Sequence, residues 1–268
     1  MRSIWSGALS FGLINIPVRL YSGTEEHALS FDLLHKKDLS PIRYARICKE
    51  DGKEIPYQDI VKGYEYQKGE YVVVTEEDFK AVDMEKTNAI EIVQFTPKSE
   101  IDAIFYEKPY FLEPGKGADK PYALLRETLQ RSKKVGVVKF VFRNREHLGI
   151  IEPYGNAIIL NQMRFATEIR DIEELKLPKE GQISKKEVDM ALKLVDQLTE
   201  KFKPEAFHDE YTEKLQKVID AKVKGIPLRK KKTPAAKPSK VHDIMSLLKQ
   251  SLEEPKNSKK QSRAKKSA

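Results

Sequence analysis

VGVVKFVFRNREHLGIIEPYGNAIILNQMRF, residues 135–165, is the stretch on which the fold turns. It holds three apolar runs, VGVVKFVF, HLGIIEP and NAIILNQMRF, each the length of a strand and too short for a helix. PYGN at 153–156 is a hairpin turn between the last two. Side chains alternate along a strand, so Lys139, Val141, Arg143 and Arg145 are expected on one face, with Phe140 and Phe142 on the other. A step of two residues is about 6.6–6.8 Å, which spaces a row of cations without burying them. That row is either an anion-binding edge or an ordinary solvated strand end, partly neutralised by Glu146.

The same reading extends upstream. SIWSGALS and LINIPVRLYS are β-rich runs flanking Gly12, EYVVVT is expected to be a short buried strand, and Thr75 with Asp78 starts a helix. NAIEIVQF alternates strictly, with Ile90, Ile92 and Gln94 opposite Glu91, Val93 and Phe95. In IFYEKPYFLEP, Pro109 marks an edge or a bulge. KPYALLRETLQR has helical spacing, with Pro121 in the first turn and Leu124, Leu125, Thr128 and Leu129 on one face. Many strands joined by short helices predict a mainly β fold, a barrel or strongly curved sheet.

After about residue 180 the period becomes 3.6. Ser184 and Glu187 form a capping box ahead of an apolar stripe running through Val188, Ala191, Leu192, Val195, Leu198 and Phe202. A second helix is predicted from Pro204, with Phe207, Tyr211, Leu215, Val218 and Lys222 along one side and Gly225 and Pro227 at its end. The remainder is rich in Lys, Pro and Ser and is expected to be disordered. One apolar island, VHDIMSLLKQSL, is too short to be stable alone and must dock on a partner or back on the body. The expected domains are a core at 1–180, a helical arm at 181–225 and a lysine-rich tail at 226–268 with a short amphipathic helix at 240–252.

Charge separates the tail from the body. The 268 residues carry 49 Lys and Arg against 41 Asp and Glu, a formal +8. From Lys222 onward there are fifteen against three, which leaves 34 against 38 before it, so the basicity belongs to the tail. The single cysteine, Cys48, forms no internal disulfide and no CxxC pair exists for zinc, which points to a reduced, intracellular protein without a structural metal. The opening run IWSGALSFGLINIPV is broken by Gly7, Gly12 and Pro17 and has no A-x-A-like exit, so it reads as strands and not as a signal peptide. No stretch reaches the roughly twenty apolar residues of a spanning helix.

No GxSxG, HExxH or glycine-rich phosphate loop is present, and the GxG at Gly115 and Gly117 reads as a turn. Glu146 and His147 lie beside two arginines, but adjacency in sequence does not supply the geometry that acid–base catalysis needs. Two basic groups remain. One is the row above, with Arg126, Arg131, Lys133 and Lys134 upstream adding charge in the same neighbourhood. The other runs through HKKDLSPIRYARICKEDGK, where Lys36, Lys37, Arg43, Arg46, Lys49 and Lys53 stand on what reads as an extended loop. Neither has the aromatic interleaving of a single-strand platform or a recognition-helix pattern, so a nucleic-acid ligand would be a duplex held by its backbone.

Several stretches together resemble the bacterial Ku proteins of non-homologous end joining: SIWSGALSFGLINIPVRLYS, FDLLHKKD, IVKGYEY, GEYVVVTEEDF, EKPYFLEP, YALLRETL and GVVKFVFRNREHL. The resemblance covers residues 2 to about 225. It implies a β-barrel core with an inserted bridge, a helical arm, and a homodimeric ring that double-stranded DNA ends thread. The bridge would carry Lys36, Lys37, Arg43, Arg46 and Lys53, and the barrel would turn Lys139, Arg143 and Arg145 toward the channel. The island resembles the region near the C-terminus that engages DNA ligase D, with Ile244, Met245, Leu247 and Leu248 as its partner-binding face. The family implies no enzymatic activity, cofactor, metal, membrane or small-molecule substrate, and a cytoplasmic, nucleoid-associated location. A general architectural or RNA-binding protein with a basic tail, and an end-processing nuclease, are the rival readings.

Overall fold

The computed structural model describes residues 1–81, 88–143, 145–178, 181, 183–226 and 244–253. The chain divides into two compact units, Met1–Asp171 and Ile172–Ala268.

In the first unit seven strands close into a barrel, as the alternation predicts. Around the barrel the order is β1 (Trp5–Phe11), β2 (Ile14–Ser22), β6 (Tyr106–Pro114), β9 (Ala157–Met163), β8 (Arg145–Tyr154), β7 (Lys134–Phe142) and β5 (Ala89–Pro97). Every pairing is antiparallel except the closing one, where β1 runs parallel to β5 with Leu9 opposite Ile90. Closure removes free strand edges, and alternate residues such as Ile16, Val18 and Leu20 on β2 and Val138 and Phe140 on β7 fill the interior. Gly7 sits at the closing seam, where a Cβ would lie 2.2 Å from the Asn88 carbonyl oxygen that accepts the Ala8 amide. Only glycine admits that approach. Pro109 is not on an edge, since β6 lies between β2 and β9; a bulge between Tyr106 and Lys108 accompanies it.

One end of the barrel is plugged by α2 (Asp119–Ser132). Its buried face is Tyr122, Leu125 and Leu129, and the Tyr122 hydroxyl donates to Leu112 O at 2.6 Å and accepts from Ile158 N at 2.7 Å. Leu124, expected on that face, is 62% exposed, because the core takes the i, i+3, i+7 line that starts at Tyr122. On the outside of the wall, residues 98–105 cover a smaller apolar cluster around Val135, Ile150 and Met163. There Glu152 is buried against Lys98 Nζ at 2.6 Å and Asn161 Nδ2 at 2.9 Å.

Residues 23–88 are an insertion between β2 and β5. Its described part contains two small turns, a hairpin of β3 (Lys62–Gln67) and β4 (Glu70–Val74), and α1 (Glu76–Ala81). The helix start holds: Thr75 and Asp78 exchange hydrogen bonds of 2.8–3.2 Å. The buried strand does not. EYVVVT forms β4, but Tyr71, Val72 and Val73 are at least half exposed, because among the described residues of this unit β4 pairs with β3 alone and nothing covers the pair.

The second unit holds α3 (Lys185–Leu198), α4 (Glu210–Val223) and α5 (Ile244–Glu253). The Ser184–Glu187 capping box is present. α4 starts six residues later than predicted, because Pro204–Ala206 forms one 3-10 turn and Asp209 is the N-cap, accepting from Tyr211 N and Thr212 N. Phe207 therefore lies outside the helix and stacks on Phe202 at 5.7 Å. α5 packs against α3.

Candidate nucleic-acid interface

The antiparallel order fixes which segments leave the barrel together. β2 ends, and β5 begins, at the end opposite the α2 plug, so the insertion springs from that open end. The β7–β8 connection lies at the same end, since β7 starts beside α2 and finishes at Phe142.

That connection is tighter than simple alternation allows. Phe142 pairs with Arg145, leaving two residues to reverse the chain, and Arg143 adopts φ +52. Two-residue hairpin loops require such left-handed backbone. Arg143 therefore belongs to the turn and not to the strand face. The register puts Lys139, Val141, Glu146 and Leu148 on one side, and Phe140, Phe142, Arg145 and His147 on the other. The expected single row of Lys139, Arg143 and Arg145 is thus replaced by an arginine turn whose Arg145 lies on the face opposite Lys139.

The neighbours fix this turn. The Arg143 guanidinium lies 5.1 Å from the Phe142 ring centroid, a cation–π contact, and Phe142 meets Tyr110 edge-on at 6.3 Å. Burial raises the Tyr110 pKa, Glu107 adds to the rise, and the Arg143 charge opposes it. Tyr110 OH donates to Gln162 Oε1 at 3.2 Å, and Gln162 Nε2 donates to Glu107 Oε2 at 3.0 Å. His147 stacks on Phe140 at 5.4 Å, and its Nε2–H donates to the Phe142 carbonyl at 3.2 Å. Glu146 holds Lys139 at 3.4 Å. His147 and Glu146 are thereby engaged by the hairpin itself, while Arg143 and Arg145 have no carboxylate partner among the described residues.

The insertion places its cations on turns. The Leu34–Pro41 bridge closes a loop with Lys36 and Lys37 at its tip, fastened by His35 Nδ1 to Asp38 Oδ1 at 2.8 Å. The Ile47–Glu54 bridge closes a second loop carrying Lys53, which lies 3.2 Å from Asp51. Arg46 stands 5.0 Å from the Tyr57 ring. Lys36, Lys37 and Arg43 are exposed and have no carboxylate partner among the described residues. Arg126, Arg131, Lys133 and Lys134 do not join this group. β7 spans nine residues, about 27 Å at strand rise, and separates them from Arg143. Arg126 donates to Asn156 O at 2.6 Å, and Arg131 pairs with Glu127.

Of the partner-binding residues, Leu247 is 42% exposed and Leu248 is half-buried. The side chains of Ile244 and Met245 lie outside the described residues. No helix among the described residues is long and apolar enough to cross a membrane.

A closed barrel, plugged at one end and carrying a basic insertion and an arginine turn at the other, defines a class of protein that can be compared with known ones. A family model described as the Ku70/Ku80 beta-barrel domain matches residues 10–190. The chain is similar to the non-homologous end joining protein Ku of Opitutus terrae, 43% identical over 94% of this chain and 91% of that one. It is similar to that of Coxiella burnetii, 40% identical over 97% of each chain, and to that of Archaeoglobus fulgidus, 40% identical over 84% of this chain and 89% of the relative. The chain belongs to the Ku family.

Proposed function

We propose that this chain acts in non-homologous end joining, binding double-stranded DNA ends without sequence preference. Two copies form a ring that the broken duplex threads. Lys36, Lys37, Arg43, Arg46 and Lys53 of the insertion and Lys139, Arg143 and Arg145 of the hairpin contact phosphates. The arm helices brace the ring, α5 engages DNA ligase D, and the basic tail adds non-specific affinity. The protein does no chemistry on DNA, needs no cofactor, and is nucleoid-associated.

The observation that carries this reading is that both cationic groups leave the barrel at its open end, away from the α2 plug. Phosphate contact from such groups requires no base readout and gives salt-sensitive, sequence-independent affinity. Pairing is supported by the large apolar side chains that the insertion leaves exposed, among them Phe31, Tyr44, Tyr57 and Tyr64. The test compares a linear duplex with the same duplex closed into a circle at moderate salt. Preference for the linear form supports end threading, and equal affinity contradicts it. Metal-dependent cleavage of the duplex by the purified protein would contradict the non-enzymatic role.

A further inference from the structure

α3 carries two apolar faces, and only one is left open. Val188, Leu192 and Val195 are exposed, at 44%, 54% and 58%. Met190, Ala191 and Leu194 lie about a third of a turn away and are half-buried, at the i, i+1, i+4 positions of a single face. α5 is the element packed against α3. Among the described side chains of α5, Leu248, Ser251 and Leu252 lose exposure, again one face, while Leu247 points outward.

We propose that the Met190–Leu194 face of α3 is the docking site of α5, held in cis through Leu248 and Leu252. A partner that uses the Leu248 face must therefore displace α5 from α3. A ten-residue helix does not persist alone in water, so docking is also what keeps α5 helical. A partner's apparent affinity is then its intrinsic affinity reduced by the fraction of time α5 is undocked. The docking stands on the geometry alone; its consequence for recruitment rests on the reading above that α5 engages DNA ligase D.

The test is hydrogen exchange on the full chain, followed by binding of purified DNA ligase D. Leu194→Asp, and independently Leu252→Asp from the other side of the contact, should strip the protection of the α5 amides. Leu192→Asp, on the open stripe of α3, should leave it intact. Barrel amides read in the same experiment report that each variant is folded. Protection of α5 that survives both Leu194→Asp and Leu252→Asp, or that is lost equally in Leu192→Asp, overturns the docking. Leu194→Asp should also tighten ligase binding by the same factor by which α5 protection falls. Unchanged or weaker binding overturns displacement. If ligase D binds neither the wild type nor any variant, the recruitment reading fails, and the exchange data still decide the docking.

Discussion

Replacing Arg143 and Arg145 together by alanine isolates the hairpin's share of the proposed DNA contact. Arg143 packs on Phe142 and Arg145 opens β8, and neither has a carboxylate partner among the described residues, so each can replace a counterion on a phosphate. One such contact on duplex adds about 0.9 to the log–log dependence of affinity on salt, so the pair contributes about 1.8 per protomer and about 3.6 if both protomers of a ring engage. Between about 50 and 200 mM salt, the wild type should lose about twelvefold more affinity per engaged protomer than the variant. Fluorescence anisotropy on a short duplex across that range measures the slope directly, and the loss should be the same for unrelated sequences. Lys139→Ala should flatten the slope less than either arginine does, because Glu146 at 3.4 Å already offers a counter-charge. A double variant with the wild-type slope would refute the claim that the turn touches phosphate. A loss confined to particular sequences would refute backbone contact as its mechanism.

Tyr122→Phe removes the hydroxyl that serves both Leu112 O and Ile158 N, leaving two buried backbone groups unpaired where α2 plugs the barrel. The expected cost is about 2 kcal/mol, seen as a Tm lower by about 6 °C, and an unchanged Tm would mean that α2 is not pinned there. The helix caps set an acid limit on the arm. Hydrogen bonds from Ser184 hold the Glu187 pKa below 4.5, and those from Thr212 hold the Asp209 pKa below 3.8. Because the folded pKa values are depressed, the caps stabilise the helices above those ordinary values. That support is lost as pH falls through the lower folded values, so helicity by circular dichroism should decline there. A decline that begins well above pH 4.5 would point to other groups.

The barrel was legible because buried β structure writes its own pattern. Runs such as VGVVKFVF and NAIILNQMRF alternate apolar residues at strand length, and closure follows once each needs two neighbours. The errors arose where a residue's surroundings, and not its type, decide the outcome. EYVVVT has the composition of a core strand, yet forms an exposed hairpin, because composition does not say what will cover it. Strand alternation does not extend through Arg143, because the chain reverses there. The signal was available in RN between two strand-like runs, since asparagine is among the residues that two-residue loops favour. Arg126 and Arg131 are near the hairpin in sequence and a full strand length away in space. The cations of the insertion were legible as residues, but their shared origin at the open end of the barrel depends on strand order, which no local pattern encodes.

The central claim is topological: the duplex passes through a closed ring. Its most direct test loads the full-length protein onto a linear duplex, seals the duplex into a circle with a ligase, and raises the salt to a level that weakens phosphate contact. The protein is expected to stay on the sealed circle and to leave when a single restriction cut restores the ends. Release from the intact circle as rapid as release from the cut one would contradict it.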